Sequence, residues 1–243
     1  MIVNFINDGW EVIYQRAHAL LAVKLAHTWR KQDHSSYWVD LLAAIAQHDN
    51  DQPDLGVDQL TPQGAPADFM IASGSPLKQA RQVVEDAAYQ GLYVALMTSL
   101  HTSYIYRDKT ESDSDFATFL EEQAQAQERW RRALGLKKAE VERDYAVMQW
   151  CDRLSLVLCK NELPEDERRL EATRMPDGKG SFVWQRADRS VGVEPWPFEP
   201  VEVEFGVETR VLTQLSFKNP EVLREALNAA PTRVKSWSFR KQI

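Results

Sequence analysis

Apolar and polar residues follow a period of two at both ends of the chain and a helical period between. At the start, IVNF and WEVIY flank Asn7-Asp8-Gly9, the pattern of two short strands around a tight turn. From about Gln15 the period lengthens, and a helix is predicted to about Lys31. Asp33 to Ser36 breaks the pattern, and a second helix is expected from about Tyr37 to Asp49. Residues 50–75 are rich in Pro, Gly and Asp and keep no period. They read as a long loop, a kind of segment that often serves function in compact domains. A long helix is expected from about Pro76 to Tyr106. After the polar break RDKTESDSD, Asp113 or Ser114 caps another that runs from about Asp115 to Leu134, where Gly135 ends it. The next helix spans about Ala139 to Lys160. Beyond MPDGKGS the pattern shifts: SFVWQRA, VGVEPWPF and VEVEFGVETRVL read as strands, NPEVLREALNAA as a short helix and RVKSWSF as a last strand. The expected fold is mainly α. A helical body with the N-terminal hairpin covers residues 1–175, and a small α+β lobe over 176–243 packs on it, with a sheet the hairpin is able to join.

Composition narrows the class. The chain has 243 residues, 44% hydrophobic and 27% charged, which is ordinary globular protein with ample material for a core. Eight Trp, seven Tyr and nine Phe point to well-filled cores and to aromatic pocket walls. A net charge of −7 disfavours nucleic acid as the main partner. No apolar run approaches the roughly 20 residues of a membrane helix, and MIVNFINDGW lacks the basic-then-apolar signature of a secretory signal. Cys151 and Cys159 fall about two turns apart on one expected helix, too far for a disulfide. A cytoplasmic location fits these features.

The polar residues on the inner helix faces carry the chemistry. A helix advances about 100° per residue, so each side chain can be placed against its own apolar stripe. His18 shares a face with Leu21, Ala22, Leu25 and Trp29, whereas His27 falls on the opposite side and His34 in a break. His48 stacks over Leu41, Ala44 and Ile45, and Asp49 continues the Leu42 side. His101 aligns with Val94, Met97 and Ile105, and Asp152 with Tyr145, Met148, Leu156 and Cys159. One inward histidine is ordinary, and an inward aspartate is met by an arginine such as Arg153 or Arg107. Four helices each giving an inward position to a metal-ligand type is harder to reconcile with packing. A divalent ion supplies the positive charge that buried carboxylates require, with neutral imidazoles completing the shell.

The order His18, His48-Asp49, Asp152 resembles the HD-domain superfamily of metal-dependent phosphohydrolases. AHALLAVKLA and LLAAIAQHDND are the best local matches, with Asn50-Asp51 standing where an apolar residue and a glycine often follow. A broader likeness, carried by NDGWEVIYQRAHALLAVKLAHTW, QGLYVALMTSLHTSYIY and WCDRLSLVLC, is to an uncharacterised bacterial family known only as a domain of unknown function. The first resemblance implies an HD-like helical body, a metal held by His18, His48, Asp49 and Asp152, and hydrolysis of a nucleotide or other small phosphate ester by a metal-activated water. His101 becomes a ligand of a second ion or a catalytic donor to the substrate, and Asp49 a bridging, catalytic carboxylate. Lys24, Arg107 and Arg153 are candidate phosphate partners. An imidazole and carboxylate shell suits Mn, Fe, Zn, Co or, less well, Mg, as one or two ions.

Two other classes stay open. One is a non-catalytic metal-binding module that senses a small molecule. The other is an HD-type di-iron oxygenase, to which Asp51 or Asp54 would add ligands. TPQGAPADFM reads as a surface loop or a lid, and the proline-flanked aromatics of VEPWPFEP as a rigid turn, a cover for the cleft or the contact of a homodimer.

Overall fold

The computed structural model describes residues 1–50, 59–71, 76–109 and 113–242. The hairpin forms as expected from β1 (Ile2–Ile6) and β2 (Gly9–Ile13), in antiparallel register from Ile2 opposite Ile13 to Ile6 opposite Gly9. Gly9 has a φ of 128°, and a Cβ there would lie 2.1 Å from the Leu212 carbonyl oxygen. Only glycine fits, because the turn must pass this close to the next strand.

Helix α1 (Gln15–His27) buries His18, Leu21, Ala22 and Leu25 on one face. It ends before Lys31 because the backbone at Trp29 and Arg30 turns to another partner. Trp29 bridges to Phe198, and the Arg30 amide donates to the Pro197 carbonyl. Helix α2 (Trp38–Gln47) stops just before His48 and Asp49, which form the turn after it. The expected single helix over 76–106 is two: α3 (Pro76–Ala88) and α4 (Leu92–Tyr106). Gly91, at a φ of 148°, takes the chain out of helical geometry between them. Helix α5 (Ser114–Ala133) is capped by the Asp113 carboxylate, which accepts from the amides of Asp115 and Phe116, so the first turn has its missing acceptor. Helix α6 (Lys138–Cys159) follows.

The second half of the chain builds β3 (Leu170–Arg174), β4 (Gly180–Gln185), β5 (Val191–Glu194), β6 (Glu202–Leu212), α7 (Pro220–Ala229) and β7 (Thr232–Arg240). With the hairpin these strands form one sheet of order β1-β2-β6-β7-β5-β4-β3. Every pairing is antiparallel except β5 with β7.

This overturns the expectation of a mainly α protein with an HD-like body. Among the described residues seven α-helices share the fold with a mixed sheet of seven strands. The expectation failed because it weighed each strand locally. Pairing of β2 with β6, residues some 200 apart, joins the hairpin to the C-terminal strands as expected; what was missed is β3 and the merging of all seven strands into one sheet. The result is a full layer whose face packs on α1 and α6.

One apolar core runs through that interface. It includes Leu21, Leu25 and Trp29 of the α1 region, Met148 and Trp150 of α6, and Phe205 and Phe239 of the sheet. Phe198 sits at its centre, with Trp150, Trp196, Phe205 and Phe239 all within 6 Å, ring centre to ring centre. A second cluster, Met1, Val12, Leu212, Leu223 and Leu227, joins α7 to the hairpin end of the sheet. Among the described residues no helix is long and apolar enough to cross a membrane.

Candidate metal centre

Helices α1, α2, α4 and α6 bring His18, His48, Asp49, His101 and Asp152 together. His18 and His48 are 0% and 3% exposed, Asp49 6% and His101 2%; the Asp152 side chain is more open at 17%. His18 Nε2 lies 2.8 Å from Asp49 Oδ2 and 3.7 Å from Asp152 Oδ1. His48 Nε2 lies 3.1 Å from Asp152 Oδ1 and 3.5 Å from Asp49 Oδ2. His101 Nε2 stands 3.8 Å from Asp152 Oδ2. Atoms bound about 2.0–2.2 Å from a shared ion sit roughly 3–4 Å from one another, so these spacings are compatible with a coordination shell, while the two shortest are hydrogen-bond distances as they stand. His18, His48 and Asp49 make one group able to hold an ion, and His48, His101 and Asp152 a second that shares His48.

The outer contacts fix which nitrogens face inward. His48 Nδ1 is 2.7 Å from the Ile45 carbonyl, an acceptor only, so Nδ1 carries the hydrogen and Nε2 is left bare in the neutral ring. The Ser155 hydroxyl donates to the Asp152 carbonyl at 2.8 Å, which leaves its oxygen to accept from His18 Nδ1, also at 2.8 Å. His18 Nε2 is therefore bare too. Two imidazole lone pairs thus point at carboxylate oxygens within 3.1 Å. Lone pair against lone pair is repulsive. A proton or a metal ion must lie between.

In the metal-free protein the electrostatics place a proton on His48. Burial alone would push His48 down, but Asp49 and then Asp152 outweigh it and raise its pKa to about 10. Burial favours the neutral acid of Asp49, yet the charge of His48 and the hydrogen bond to His18 overcome it and hold the carboxyl far below its usual range. Asp152 is likewise lowered against its own burial, chiefly by His48. His101, pushed down to about 4 by burial and then by the charge on His48, is neutral at neutral pH. Its Nδ1 is buried with no hydrogen-bond partner among the described residues. The C-terminal end of α2, with its exposed carbonyls, adds negative potential at His48. Two carboxylates and three imidazoles gathered in one cluster suit a divalent cation able to replace that proton.

A cavity of about 340 Å³ opens beside the cluster, with Asp49, His101 and Asp152 on its wall. Arg153, Gln149 and Thr173 also line it, as do Phe69 and Leu156. Of the three candidate phosphate partners, then, Arg153 reaches the cavity. Lys24 is spent on the Gly206 carbonyl of β6, 2.6 Å away. Arg107 is exposed, 3.5 Å from Asp108 and stacked over the Tyr104 ring at 4.3 Å, outside the cavity wall. His27 is exposed, and His34 stacks on Trp38. Asp51 and Asp54 lie outside the described residues. A larger hollow of about 680 Å³, bordered by Glu165, Asp166 and Arg189, contains none of the cluster.

Sequence reasoning missed Ser155, Phe69 and Thr173. Ser155 was within reach, since it stands three residues after Asp152 on the same helix face. Phe69 falls in the segment TPQGAPADFM, read as a surface loop or a lid, but nothing singled out the residue itself; Thr173 is on the unforeseen β3.

Cys151 and Cys159 are free and buried, and burial, then Asp152, pushes the Cys151 thiol well above its ordinary pKa. That is the state of a packing residue rather than a thiolate ligand.

A family model described as "Protein of unknown function (DUF3891)" matches residues 1–214, a stretch that holds every residue of the cluster. No curated protein and no solved structure matches the chain.

Proposed function

We propose that this chain, which belongs to the DUF3891 family, is a metal-dependent phosphohydrolase acting on a small phosphate ester. The observation that carries the reading is the pair of Nε2 atoms on His18 and His48 set 2.8 and 3.1 Å from carboxylate oxygens of Asp49 and Asp152, beside a cavity walled by those same carboxylates. The ligand order also supports an HD-type relationship for the site, set here on a mixed helix and sheet scaffold.

His18, His48, Asp49 and Asp152 would hold a divalent ion (Mn, Fe, Zn, Co or Mg), with His101 available to a second. When bound, such an ion lowers the pKa of a coordinated water and polarises a phosphoryl oxygen. The chain's own residues supply the rest. Arg153 neutralises the phosphate from the cavity wall. Where it does not hold a second ion, His101 lines the cavity beside Asp152 as a donor to the substrate oxyanion or leaving group. The water oxygen bonds to phosphorus as the ester P–O bond breaks, leaving an alcohol and inorganic phosphate.

The test is metal analysis of the purified full-length protein, followed by hydrolysis assays with added Mn, Co or Mg. Bound metal near one or two equivalents, with release of phosphate, is expected. Asp49→Ala should lose both. Undiminished metal in that variant would refute the ligand set. Metal without turnover of any ester would transfer the protein to the binding-module class, and two irons with an oxygen-sensitive absorbance to oxidation.

A further inference from the structure

The cavity beside the cluster has a size, a charge and a wall chemistry that together narrow what it accepts. Its volume of about 340 Å³ is near the lower end of the roughly 300–1,000 Å³ typical of small-molecule sites. It has room for a phosphate and a compact organic group.

Charge limits the number of phosphates. Arg153 is the lysine or arginine that lines the cavity. It is half-buried and forms no ion pair or hydrogen bond among the described residues, so its donors are available to a ligand. Arg107, the next arginine along this face, is engaged by Asp108 and by the Tyr104 ring. The stretches 51–58, 72–75 and 110–112 have no lysine or arginine in their sequence, and so cannot add a cation. One guanidinium beside two carboxylates suits one phosphoryl group. Triphosphate sites instead surround the chain of phosphates with several cationic and N–H donors.

Most of the remaining wall is apolar, with Gln149 and Thr173 as its polar members. Phe69, Tyr104, Ile105 and Leu156 face the cavity, and Tyr104 and Ile105 are each 45% exposed. Phe69 is held there by the backbone. Its amide donates to the Met1 carbonyl at 2.8 Å, and the preceding Asp68 carboxylate accepts from the Val3 amide at 3.0 Å. Asp68 and Phe69 are thus pinned to the start of β1, with Phe69 on the cavity wall.

We infer that the site selects phosphate monoesters of compact apolar or aromatic alcohols over polyphosphates and polar sugar or glycerol phosphates, with Phe69 and Arg153 as the selecting residues. This rests on the hydrolytic reading of the same site. The phosphate lies between the cluster and Arg153, and the organic group covers Phe69, Tyr104 and Leu156, removing apolar surface from water.

Binding and turnover are measured separately on the full-length, Mn-loaded protein. Calorimetry compares benzylphosphonate with methylphosphonate, whose P–C bonds resist hydrolysis, and assays compare phenyl phosphate, glycerol 2-phosphate and ATP. Benzylphosphonate should bind at least about tenfold more tightly than methylphosphonate, and phenyl phosphate should give the highest kcat/KM. Phe69→Ala should reduce the benzyl-to-methyl ratio, and Arg153→Ala should weaken both phosphonates about tenfold or more. Metal content and melting temperature show that each variant is folded. Equal phosphonate affinities, or faster turnover of ATP or glycerol phosphate, would overturn the selectivity while leaving hydrolysis in place. Ring-selective binding without turnover of any ester would retain the selectivity and remove hydrolysis. Neither binding nor turnover would sink both.

Discussion

Ser155 is absent from the cavity wall, yet it decides which nitrogen of His18 is free for a ligand. Its hydroxyl hydrogen is committed to the Asp152 carbonyl, so its oxygen can only accept from the imidazole. Removing such an outer partner typically costs 10–100-fold in metal affinity. Ser155→Ala should therefore weaken metal binding by about that factor in a chelator competition, with Ser155→Thr recovering part of it. An unchanged affinity would mean that packing alone orients His18. The histidines also set a pH response. His48 has its folded pKa raised to about 10, above an unfolded value of about 6.5. Its contribution to stability is full below pH 6.5 and is lost as pH rises toward 10. His101 is depressed to about 4, so the unfolded chain binds the extra proton between pH 4 and 6.5, and stability falls as pH drops through that window. Each group contributes a slope of about 1.4 kcal/mol per pH unit within its window. The metal-free protein should melt highest near pH 6.5, as read by a thermal scan across pH 4–10. Saturating metal should flatten the alkaline side, because the ion replaces the His48 proton. A melting temperature that climbs steadily from pH 6.5 to 9 without metal would contradict this arrangement.

At the scale of elements, periodicity located most helices and strands but misjudged where two of them stop. An isolated glycine inside a helical pattern is often tolerated, so Gly91 gave no clear stop, and only its φ of 148° separates α3 from α4. Helix α1 has no stop signal at His27 either; it ends because Trp29 pairs with Phe198. Strand β3 was invisible because LEATR alternates too weakly to stand out. Two of the positive-φ glycines, Gly9 and Gly91, offer a controlled comparison. Gly91→Ala meets backbone strain of about 1–3 kcal/mol and nothing else, since no atom lies within 4 Å of the new Cβ. Gly9→Ala meets the same strain and also the Leu212 carbonyl. It should lower stability further than Gly91→Ala in denaturant titration, with added loss of hairpin protection in hydrogen exchange. Equal losses would show that the β2–β6 approach is loose.

For the molecule as a whole, metal binding as proposed would be coupled to the core, because α1 and α6, which carry His18 and Asp152, are helices that pack on the sheet. A ligand bound only by the folded state stabilises it by RT ln(1 + [L]/Kd), about 2.7 kcal/mol at 100 Kd. Chelation should lower the melting temperature of helix and sheet signals together, and a sheet transition indifferent to metal would argue against that coupling. Truncating a buried phenylalanine costs about 3–5 kcal/mol; Phe198→Ala should lose that much and weaken metal binding as well, through Trp150 and α6. The sequence by itself determined the helical faces, and with them that His18, His101 and Asp152 point inward, since the angle about a helix axis follows from spacing alone; His48 and Asp49 lie in the turn after α2, and their burial is a result of folding. It likewise implied the hairpin and the strand character of the last quarter. Only the tertiary structure decided that the strands form one seven-stranded layer, that Ser155 and Ile45 set the imidazole tautomers, and that Arg153 rather than Lys24 meets the cavity beside Phe69. Spacing along one element says which way a side chain faces. What it meets there depends on contacts between residues far apart in the chain, which only folding brings within reach.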